Sequence, residues 1–290
     1  MKRILSQRKL EAFYSLSRTG SFSKAANELC LTQSALSQRI ALLEESLGRK
    51  LFIREKNSVE HTHAGERLLR FCHIKYSLED ELLNDIALSD QSQLSGSLTI
   101  ACFSSLMRSA VMPTLSPLLL ENPGIQIDLK TRDLVELPKM LYQSKADFII
   151  SQSPLDRIGF NSVVIGHEIN VLIESINDRA VKDVYLDHNI GDHFNESFLR
   201  AQPDFSNKLI KRAFVGDIYG MIDGISLGLG RGVVPMHLLR DIKNIRQVGG
   251  SKSQDTPCLL HYSSSPCLSK LHLKVIELLT ANFSKYLIER

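Results

Sequence analysis

The sequence predicts an α/β protein with a small helical head, one long helix and a larger α/β body. Three observations support this prediction. The first fifty or so residues hold three short runs of apolar residues at helical spacing. Residues 64–89 keep helical spacing without a proline. Beyond residue 97, short β-rich runs alternate with helical stretches, which is typical of an α/β domain.

Glycine and hydroxyl residues mark the ends of the three short helices. Gly20 and Gly48 follow the first and third apolar runs, where a left-handed residue ends a helix. Ser21 or Ser23 can cap the second helix, and Thr32 can cap the third. The head is therefore predicted to be a compact three-helix unit.

A hairpin and a long helix are predicted to follow. Two short apolar runs flank the polar stretch 54–57, which predicts a small β-hairpin. The helix predicted over 64–89 has an apolar stripe from Leu68 to Ile86, and its heptad-like spacing favours pairing with a second copy. Residues 91–97 are small and polar, which predicts a linker.

The remaining chain alternates predicted strands and helices. The predicted strands are residues 98–103, 125–129, 147–150, 163–165, 171–173, 212–215, 232–234 and 258–262. The predicted helices are residues 106–120, 135–143, 196–201, 219–227 and 268–286. This alternation favours a mostly parallel sheet, with ligands bound in the loops at the carboxyl ends of the strands.

Charge is divided unevenly along the chain. The net charge is +3, but residues 1–59 hold eleven Lys and Arg against five Glu, an excess of six. The remainder is therefore mildly acidic, with a net charge of −3. A basic head on an acidic body indicates that a polyanion meets the head, although a solvated charged surface would give the same numbers.

Cysteine usage and hydropathy exclude several classes of protein. The five cysteines are scattered without a CxxC pair, which argues against a disulfide framework and a zinc module. Only Cys258 and Cys267 are close enough in sequence to suggest a redox pair, and buried apolar packing is the more ordinary role. The chain has neither an apolar signal core at its start nor a membrane-length apolar window, so we expect a cytoplasmic protein.

No cofactor or metal is predicted. The glycine-rich run 228–232 closes a helix and opens a strand, which is the reverse of a dinucleotide-binding loop. His61 and His63 have no cysteine or carboxylate nearby at metal-ligand spacing. No Ser-His-Asp or paired-carboxylate arrangement is visible along the chain, so an enzyme is not expected.

The head carries a family resemblance. Residues 21–29, 32–40 and 43–48 closely resemble the DNA-binding signature of LysR-type transcriptional regulators, and residues 51–54 and 62–65 continue it in order. Further along, the segments 122–125, 146–150 and 228–235, with Pro113 and Pro117, are similar to that family's effector-binding domain. The resemblance departs at Ser34, where the family often has proline, at Gln38-Arg39, where Arg-Gln is common, and between Glu174 and Phe205.

The resemblance implies an N-terminal winged helix-turn-helix, a dimerising linker helix and a regulatory domain of the periplasmic-binding-protein type with a cleft between two α/β subdomains. The implied domains are residues 1–62, 63–92 and 93–290, with subdomain I at about 97–165 and 264–290 and subdomain II at about 166–263.

The predicted DNA-contacting residues form the polar face of the third helix and its surroundings. Glutamine can pair bidentately with adenine, and an arginine at the hairpin can reach a phosphate or the minor groove. An ordinary helix with a polar exposed face is the alternative. The predicted residues are Ser23, Thr32, Gln33, Ser34, Ser37, Gln38, Arg39 and Arg54.

The predicted effector-binding residues follow strands. Ser104 and Ser105 come between a strand and a helix, so their hydroxyls and the helix-start N–H groups can bind an anionic group. A plain helix cap would look the same from the residues, and the resemblance favours the ligand. Similar strand-end loops hold Arg132, Asp133, Ser151 and Asp217, where surface turn residues are the alternative.

These features predict a regulator, not an enzyme. It is expected to bind double-stranded DNA as a homodimer or homotetramer and to sense a small, anionic molecule, without a cofactor or a membrane. The alternative is a regulator of the same fold that responds to thiol state or to a partner protein.

Overall fold

The N-terminal unit is a helix-turn-helix with a β-hairpin. The computed structural model describes residues 5–54, 59–87, 94–178, 180–202, 210–264 and 268–287. The elements of this unit are α1 (Gln7–Thr19), α2 (Phe22–Glu28), α3 (Gln33–Leu47), β1 (Phe52–Arg54), β2 (Val59–His61) and α4 (His63–Ala87). Strands β1 and β2 pair antiparallel, so the predicted hairpin is confirmed, while its tip lies outside the described residues.

The predicted helix ends are confirmed by their backbone geometry. Gly20 and Gly48 end α1 and α3 with left-handed φ values of 64° and 62°. The Ser21 side chain accepts a hydrogen bond from the Lys24 N–H, so Ser21 rather than Ser23 caps α2. Thr32 caps α3 in the same way, through the Ala35 N–H.

One apolar core joins the three helices, the hairpin and the start of α4. Its fully buried members include Phe13, Leu36 and Leu51. Helix α4 contributes Leu68, Leu69 and Cys72 from its first turns, so this part of the long helix belongs to the N-terminal unit. The later apolar residues of α4 are exposed in the single chain: Leu78, Leu82, Leu83 and Ile86.

The C-terminal unit alternates strands and helices. Its strands are β3 (Gly96–Cys102), β4 (Ile125–Thr131), β5 (Phe148–Ser151), β6 (Phe160–Ser175), β7 (Val184–Asp187), β8 (Lys211–Phe214), β9 (Gly232–Pro235), β10 (Ile245–Gln247) and β11 (Gln254–Ser263). Its helices are α5 (Ser104–Leu106), which continues through a π-helical segment (Met107–Val111) into α6 (Met112–Glu121), then α7 (Leu137–Tyr142), α8 (Phe194–Arg200), α9 (Ile218–Ser226) and α10 (Lys270–Asn282).

The sheet is mixed, so the predicted mostly parallel arrangement is wrong. Strand β3 pairs parallel with β4 and β5, but β6 and β11 lie antiparallel to each other across ten residue pairs. The strand order is β10-β6-β11-β5-β3-β4, with β9 also on β6, while β7 and β8 form a separate parallel pair. The runs predicted at 163–165 and 171–173 are one strand, because the ladder with β11 holds the backbone between them extended.

Two lobes with separate cores flank β6 and β11. Lobe I, around β3, β5, α6 and α10, buries residues such as Phe148 and Phe283. Lobe II, around β9 and α9, buries Ile225 and Val234, among others. The start of the linker predicted at 91–97 lies outside the described residues. Over the described ranges, none of the helices has both the length and the apolar content needed to cross a membrane.

Candidate DNA interface and ligand cleft

Helix α3 presents a polar face to solvent above a buried apolar face. Leu36, Ile40 and Leu43 are fully buried beneath it. The Ser23 hydroxyl donates to Gln33 Oε1 at 3.4 Å, and the hydroxyls of Thr32 and Ser34 lie 3.0 Å apart. The structure therefore brings together most of the predicted DNA-contacting residues, which are exposed or half-buried: Ser23, Thr32, Gln33, Ser34, Ser37 and Gln38.

The two predicted arginines are placed differently. At 3.6 residues per turn, Arg39 lies roughly 100° around α3 from Gln38 but only about 20° from Thr32, seven residues earlier. Its side chain is half-buried, so Arg39 lies at the Thr32 side of the polar face. Arg54 is the last residue of β1, where it pairs with Val59 beside the hairpin tip, and its side chain lies outside the described part of the structure.

A buried carboxylate fixes the hairpin against α3. Glu44 Oε1 accepts the Leu51 N–H at 2.9 Å, and Oε2 accepts the Lys50 ammonium at 2.7 Å. Burial raises the pKa of Glu44, but these bonds and the Phe52 N–H outweigh it, so the pKa lies below its ordinary value. The ionised carboxylate therefore holds the base of the wing in position.

A cleft between the two lobes is the candidate ligand site. It encloses about 620 Å³, which lies within the range of small-molecule sites. Its polar lining includes Ser104, Ser105, Asp133, Gln152, Glu168, Asn170, Asp187 and Asp192, and its apolar lining includes Phe103, Ile218 and Met221.

Three of the six predicted effector residues line this cleft. Ser104 and Ser105 open the helical segment that continues to Glu121, and Ser105 is nearly fully buried. The backbone N–H groups of this first turn have no partner within the helix, because they precede its first hydrogen bonds. Asp133 lines the same cleft from the loop after β4.

The other three predicted effector residues do not line the cleft. Arg132 lines a different groove, which faces the N-terminal unit, where Lys130 and Lys139 also lie. Asp217 caps α9 by accepting the N–H groups of Tyr219 and Gly220. Arg132 and Asp217 are close in sequence to residues that line the cleft. Arg132 lines the other groove and Asp217 caps α9, so neither side chain lines the cleft.

Ser151 is engaged in a buried hydrogen-bond network. Its hydroxyl lies 2.9 Å from His261 Nε2 and also donates to the carbonyl of Ser153. His261 Nδ1 lies 2.7 Å from the Ser162 hydroxyl, and the ring is fully buried. Burial lowers the pKa of His261 to about 4, so the imidazole is neutral at neutral pH. The network joins β5, β11 and β6 and leaves Ser151 unavailable to a ligand.

Carboxylates are the most numerous ionisable residues that line the cleft. Asp133, Glu168, Asp187 and Asp192 line it, as do His188 and His193, and neither Lys nor Arg does so among the described residues. Burial raises the pKa of Asp187. This effect outweighs the hydrogen bonds that the carboxylate accepts from Arg212 and Asn195, which lower the pKa. Glu168 was not predicted from the sequence, because residues 166–170 lie between two apolar runs that predict separate strands.

Glu168 is the most deeply buried of these carboxylates. Its residue exposure is 0%, and Oε2 accepts a hydrogen bond from Gln152 Nε2 at 2.9 Å, while Oε1 has no partner among the described residues. Burial raises its pKa to about 7, against the opposing effect of the Gln152 hydrogen bond. Glu168 and Asn170 are two apart on β6 and point to one face, which is the alternation that could have revealed them.

A metal centre is not assembled in the described residues, and Cys30 is the exposed cysteine among the four that the structure describes. Over those ranges, no three His, Cys, Asp or Glu side chains cluster to hold a metal ion. Cys258 is fully buried, and burial raises the pKa of its thiol well above the ordinary value. Cys267, its predicted redox partner, lies outside the described residues.

The fold and the two sites define a class of protein. A winged helix-turn-helix is joined by a long helix to a two-lobed α/β unit with a ligand-sized cleft. Residues 7–66 match the model of the bacterial regulatory helix-turn-helix proteins of the lysR family, and residues 91–175 match the LysR substrate binding domain. The chain belongs to the LysR family, which confirms the resemblance and the predicted fold class.

Relatives and solved structures agree with this assignment. The chain is 33% identical over 167 residues to the HTH-type transcriptional regulator HdfR of Yersinia enterocolitica, a match that covers 58% of this chain and 56% of HdfR. The chain thus spans about half the length of the curated relatives it matches.

Two full-length structures share its fold. ArgP from Mycobacterium tuberculosis superposes with a TM-score of 0.77 at 24% identity, covering 96% of this chain and 97% of ArgP. LysG from Corynebacterium glutamicum, solved with its effector Arg bound, gives a TM-score of 0.73 at 19% identity, covering 97% of this chain and all of LysG. At these identities the likeness shows the fold alone.

Proposed function

We propose that this protein is a transcriptional regulator that binds operator DNA through the exposed face of α3 and the adjoining wing. The observation that carries the proposal is the polar face of α3, with two glutamines and several hydroxyls above a fully buried apolar face. Such a helix offers short donors near phosphates and longer amides at base edges. The basic excess of residues 1–59 supports it, because phosphate contacts dominate DNA affinity.

The proposal extends to a homodimer or homotetramer assembled through α4. Leu82, Leu83 and Ile86 are each more than half exposed in the single chain, and they lie at helical spacing beyond the part of α4 that packs on the head. A second copy of α4 would cover them and hold two heads at a fixed spacing, as a pseudo-palindromic operator requires.

The proposal also assigns the cleft between the lobes to a small-molecule effector. Its size suits a metabolite, and the helix start at Ser104 and Ser105 can accept an anionic group through free N–H groups and hydroxyls. Tyr219 of lobe II reaches back to lobe I, with its hydroxyl donating to the Ser104 carbonyl at 3.5 Å and its ring 3.9 Å from the Arg108 guanidinium carbon. A ligand beside these contacts can alter the angle between the lobes.

The test begins with selection of an operator from random duplex DNA by the full chain. Gln33→Ala and Gln38→Ala should then relax base preference, whereas Arg54→Ala should weaken binding to all sequences and reduce the salt slope by about 1. Lys274→Ala, an exposed basic residue on α10, is the matched charge control. Unchanged base preference in both glutamine variants would refute the α3 assignment.

A thiol-responsive regulator of the same fold is the alternative. The burial of Cys258 and its raised thiol pKa argue against a sensor at that position, because redox-sensing cysteines are exposed and readily ionised, whereas Cys30 in the DNA-binding unit is exposed. DNA binding that changes with peroxide, and no longer does so in Cys258→Ser, would favour this alternative.

A further inference from the structure

We propose that the cleft binds its effector through a cationic group, an ammonium or a guanidinium, and that the Glu168 carboxylate accepts its hydrogen bond. This inference rests on the proposed effector function of the cleft and names the chemistry of one end of the ligand. It adds to the anionic end predicted at Ser104 and Ser105, so the expected effector carries both charges.

The hydrogen bonds of the Glu168 carboxylate are incomplete among the described residues. A carboxylate has two oxygens that each accept hydrogen bonds, and a buried polar group without a partner is costly. Oε2 is bonded to Gln152, and both residues line the cleft, but Oε1 has no partner among the described residues. A hydrogen-bond donor of the ligand at Oε1 would give both carboxylate oxygens of Glu168 a hydrogen bond.

The groups that face Glu168 among the described residues supply no positive charge at neutral pH. His237 Nε2 lies 3.8 Å from Oε1, too far for a hydrogen bond, and burial together with Arg240 lowers the pKa of His237 to about 4. Cys102 and Cys258 also face Glu168, and burial raises the pKa of both thiols, so they are neutral. The charge of Glu168 therefore has no counterion in its own surroundings.

The lining of the cleft is rich in carboxylates. Four carboxylates and two histidines, His188 and His193, line the cleft over the described residues, without Lys or Arg, and of these carboxylates Asp187 alone is paired with an arginine. Opposite charge within a few ångströms favours binding, whereas a ligand with only negative charges would meet repulsion from Asp133 and Glu168. A ligand that places a cationic group beside Glu168 would be attracted by these carboxylates.

Protonation of Glu168 is coupled to the binding of a cation. Burial raises the pKa of Glu168 to about 7, so a bound cation would draw the group into its ionised form and release a proton. Affinity for a cationic ligand should then rise as the pH is raised through about 7, because less of the carboxyl has to be deprotonated on binding. The rise should disappear in Glu168→Gln, which separates it from any effect of His188 and His193 in the same lining.

The experiment uses the full chain and pairs of probes that differ in one cation. L-lysine, L-arginine, cadaverine and agmatine are each compared with an isostere that lacks the cationic group, such as L-norleucine for L-lysine, and with glutarate as an anionic probe. Thermal unfolding identifies the binding probes and calorimetry measures their affinity. The variants are Glu168→Gln, which keeps the size and the partner Gln152, and Glu121→Gln, an exposed control outside the cleft.

The expected result is stabilisation by at least one cationic probe but not by its isostere. Glu168→Gln should weaken that binding by about ten- to a hundredfold, as loss of a charge-assisted hydrogen bond predicts, and should remove its pH dependence. Glu121→Gln should change neither. Should Glu168→Gln unfold, Glu168→Asp, which withdraws the carboxylate from the ligand by one methylene, takes its place, and unchanged affinity in that variant would overturn the assignment.

Two other outcomes separate this inference from the proposed function. Stabilisation by glutarate or by the isosteres, unchanged in Glu168→Gln, would overturn the cationic assignment and leave the cleft as an effector site. If none of the compounds stabilised the wild-type protein or changed its DNA binding, both the cationic assignment and the proposed effector function of the cleft would be overturned.

Discussion

Substituting Gly65 by alanine should disrupt the attachment of the wing to the DNA-binding unit. A Cβ at Gly65 would lie 2.1 Å from the carbonyl oxygen of Leu51, whereas an ordinary carbon–oxygen approach is about 3.3–3.6 Å. The Leu51 backbone must therefore move by roughly 1 Å. That carbonyl accepts the Thr62 N–H at 3.0 Å, and the Leu51 N–H donates to Glu44, so the movement strains both bonds at the base of the hairpin.

The magnitude follows from three contributions. Overpacking at a buried site costs about 1–3 kcal/mol, and a weakened hydrogen bond adds about 1 kcal/mol. Alanine in place of glycine near a helix start returns at most about 1 kcal/mol. The net loss of stability should be about 1–3 kcal/mol, because these contributions partly cancel.

The assay is hydrogen exchange of the full chain, followed at the Thr62 amide, together with urea unfolding by circular dichroism. Gly249→Ala is the matched control, since nothing lies within 4 Å of its added Cβ. Gly65→Ala should exchange faster at Thr62 and bind DNA more weakly, while the control should resemble the wild type. Unchanged protection at Thr62 would show that Leu51 does not hold the wing in this way.

Three further predictions concern assembly, the effector and pH. Leu78→Lys combined with Leu82→Lys should dissociate the oligomer and abolish operator binding, because both side chains belong to the exposed stripe of α4; sedimentation that shows an unchanged oligomer would contradict this. Ser105→Ala should weaken effector binding about ten- to a hundredfold by calorimetry and spare DNA binding without effector, and equal affinity would reduce the serine to a helix cap. Glu44→Gln should destabilise the protein by about 1–3 kcal/mol at neutral pH. Because the folded-state pKa of Glu44 is lowered, its contribution is lost as the pH falls through that pKa, so the difference from wild type in urea unfolding should shrink in acid; a constant difference would argue against the ionised carboxylate.

The cleft shows where prediction from sequence succeeded and where it did not. Ser104 and Ser105 were predicted because a strand followed by a helix start is visible along the chain, and both line the cleft. Glu168 and Gln152 were not predicted, since a carboxylate between two apolar runs resembles a surface turn until β11 pairs along it. Ser151 follows a strand as predicted, but His261, 110 residues away in sequence, binds its hydroxyl.

The sequence by itself determined the local features: a hydroxyl cap at Ser21 or Ser23 and another at Thr32, the left-handed glycines at Gly20 and Gly48, and the polar face of α3. Each feature depends on interactions between residues within one or two helical turns of each other. The neighbouring residues in the sequence are therefore enough to predict it. Only the tertiary structure decided that β6 is one long antiparallel strand, that Glu168 is fully buried, and that Arg132 turns away from the cleft. Burial and strand pairing depend on residues that are far apart in the chain. A local sequence pattern does not specify how such residues pack together.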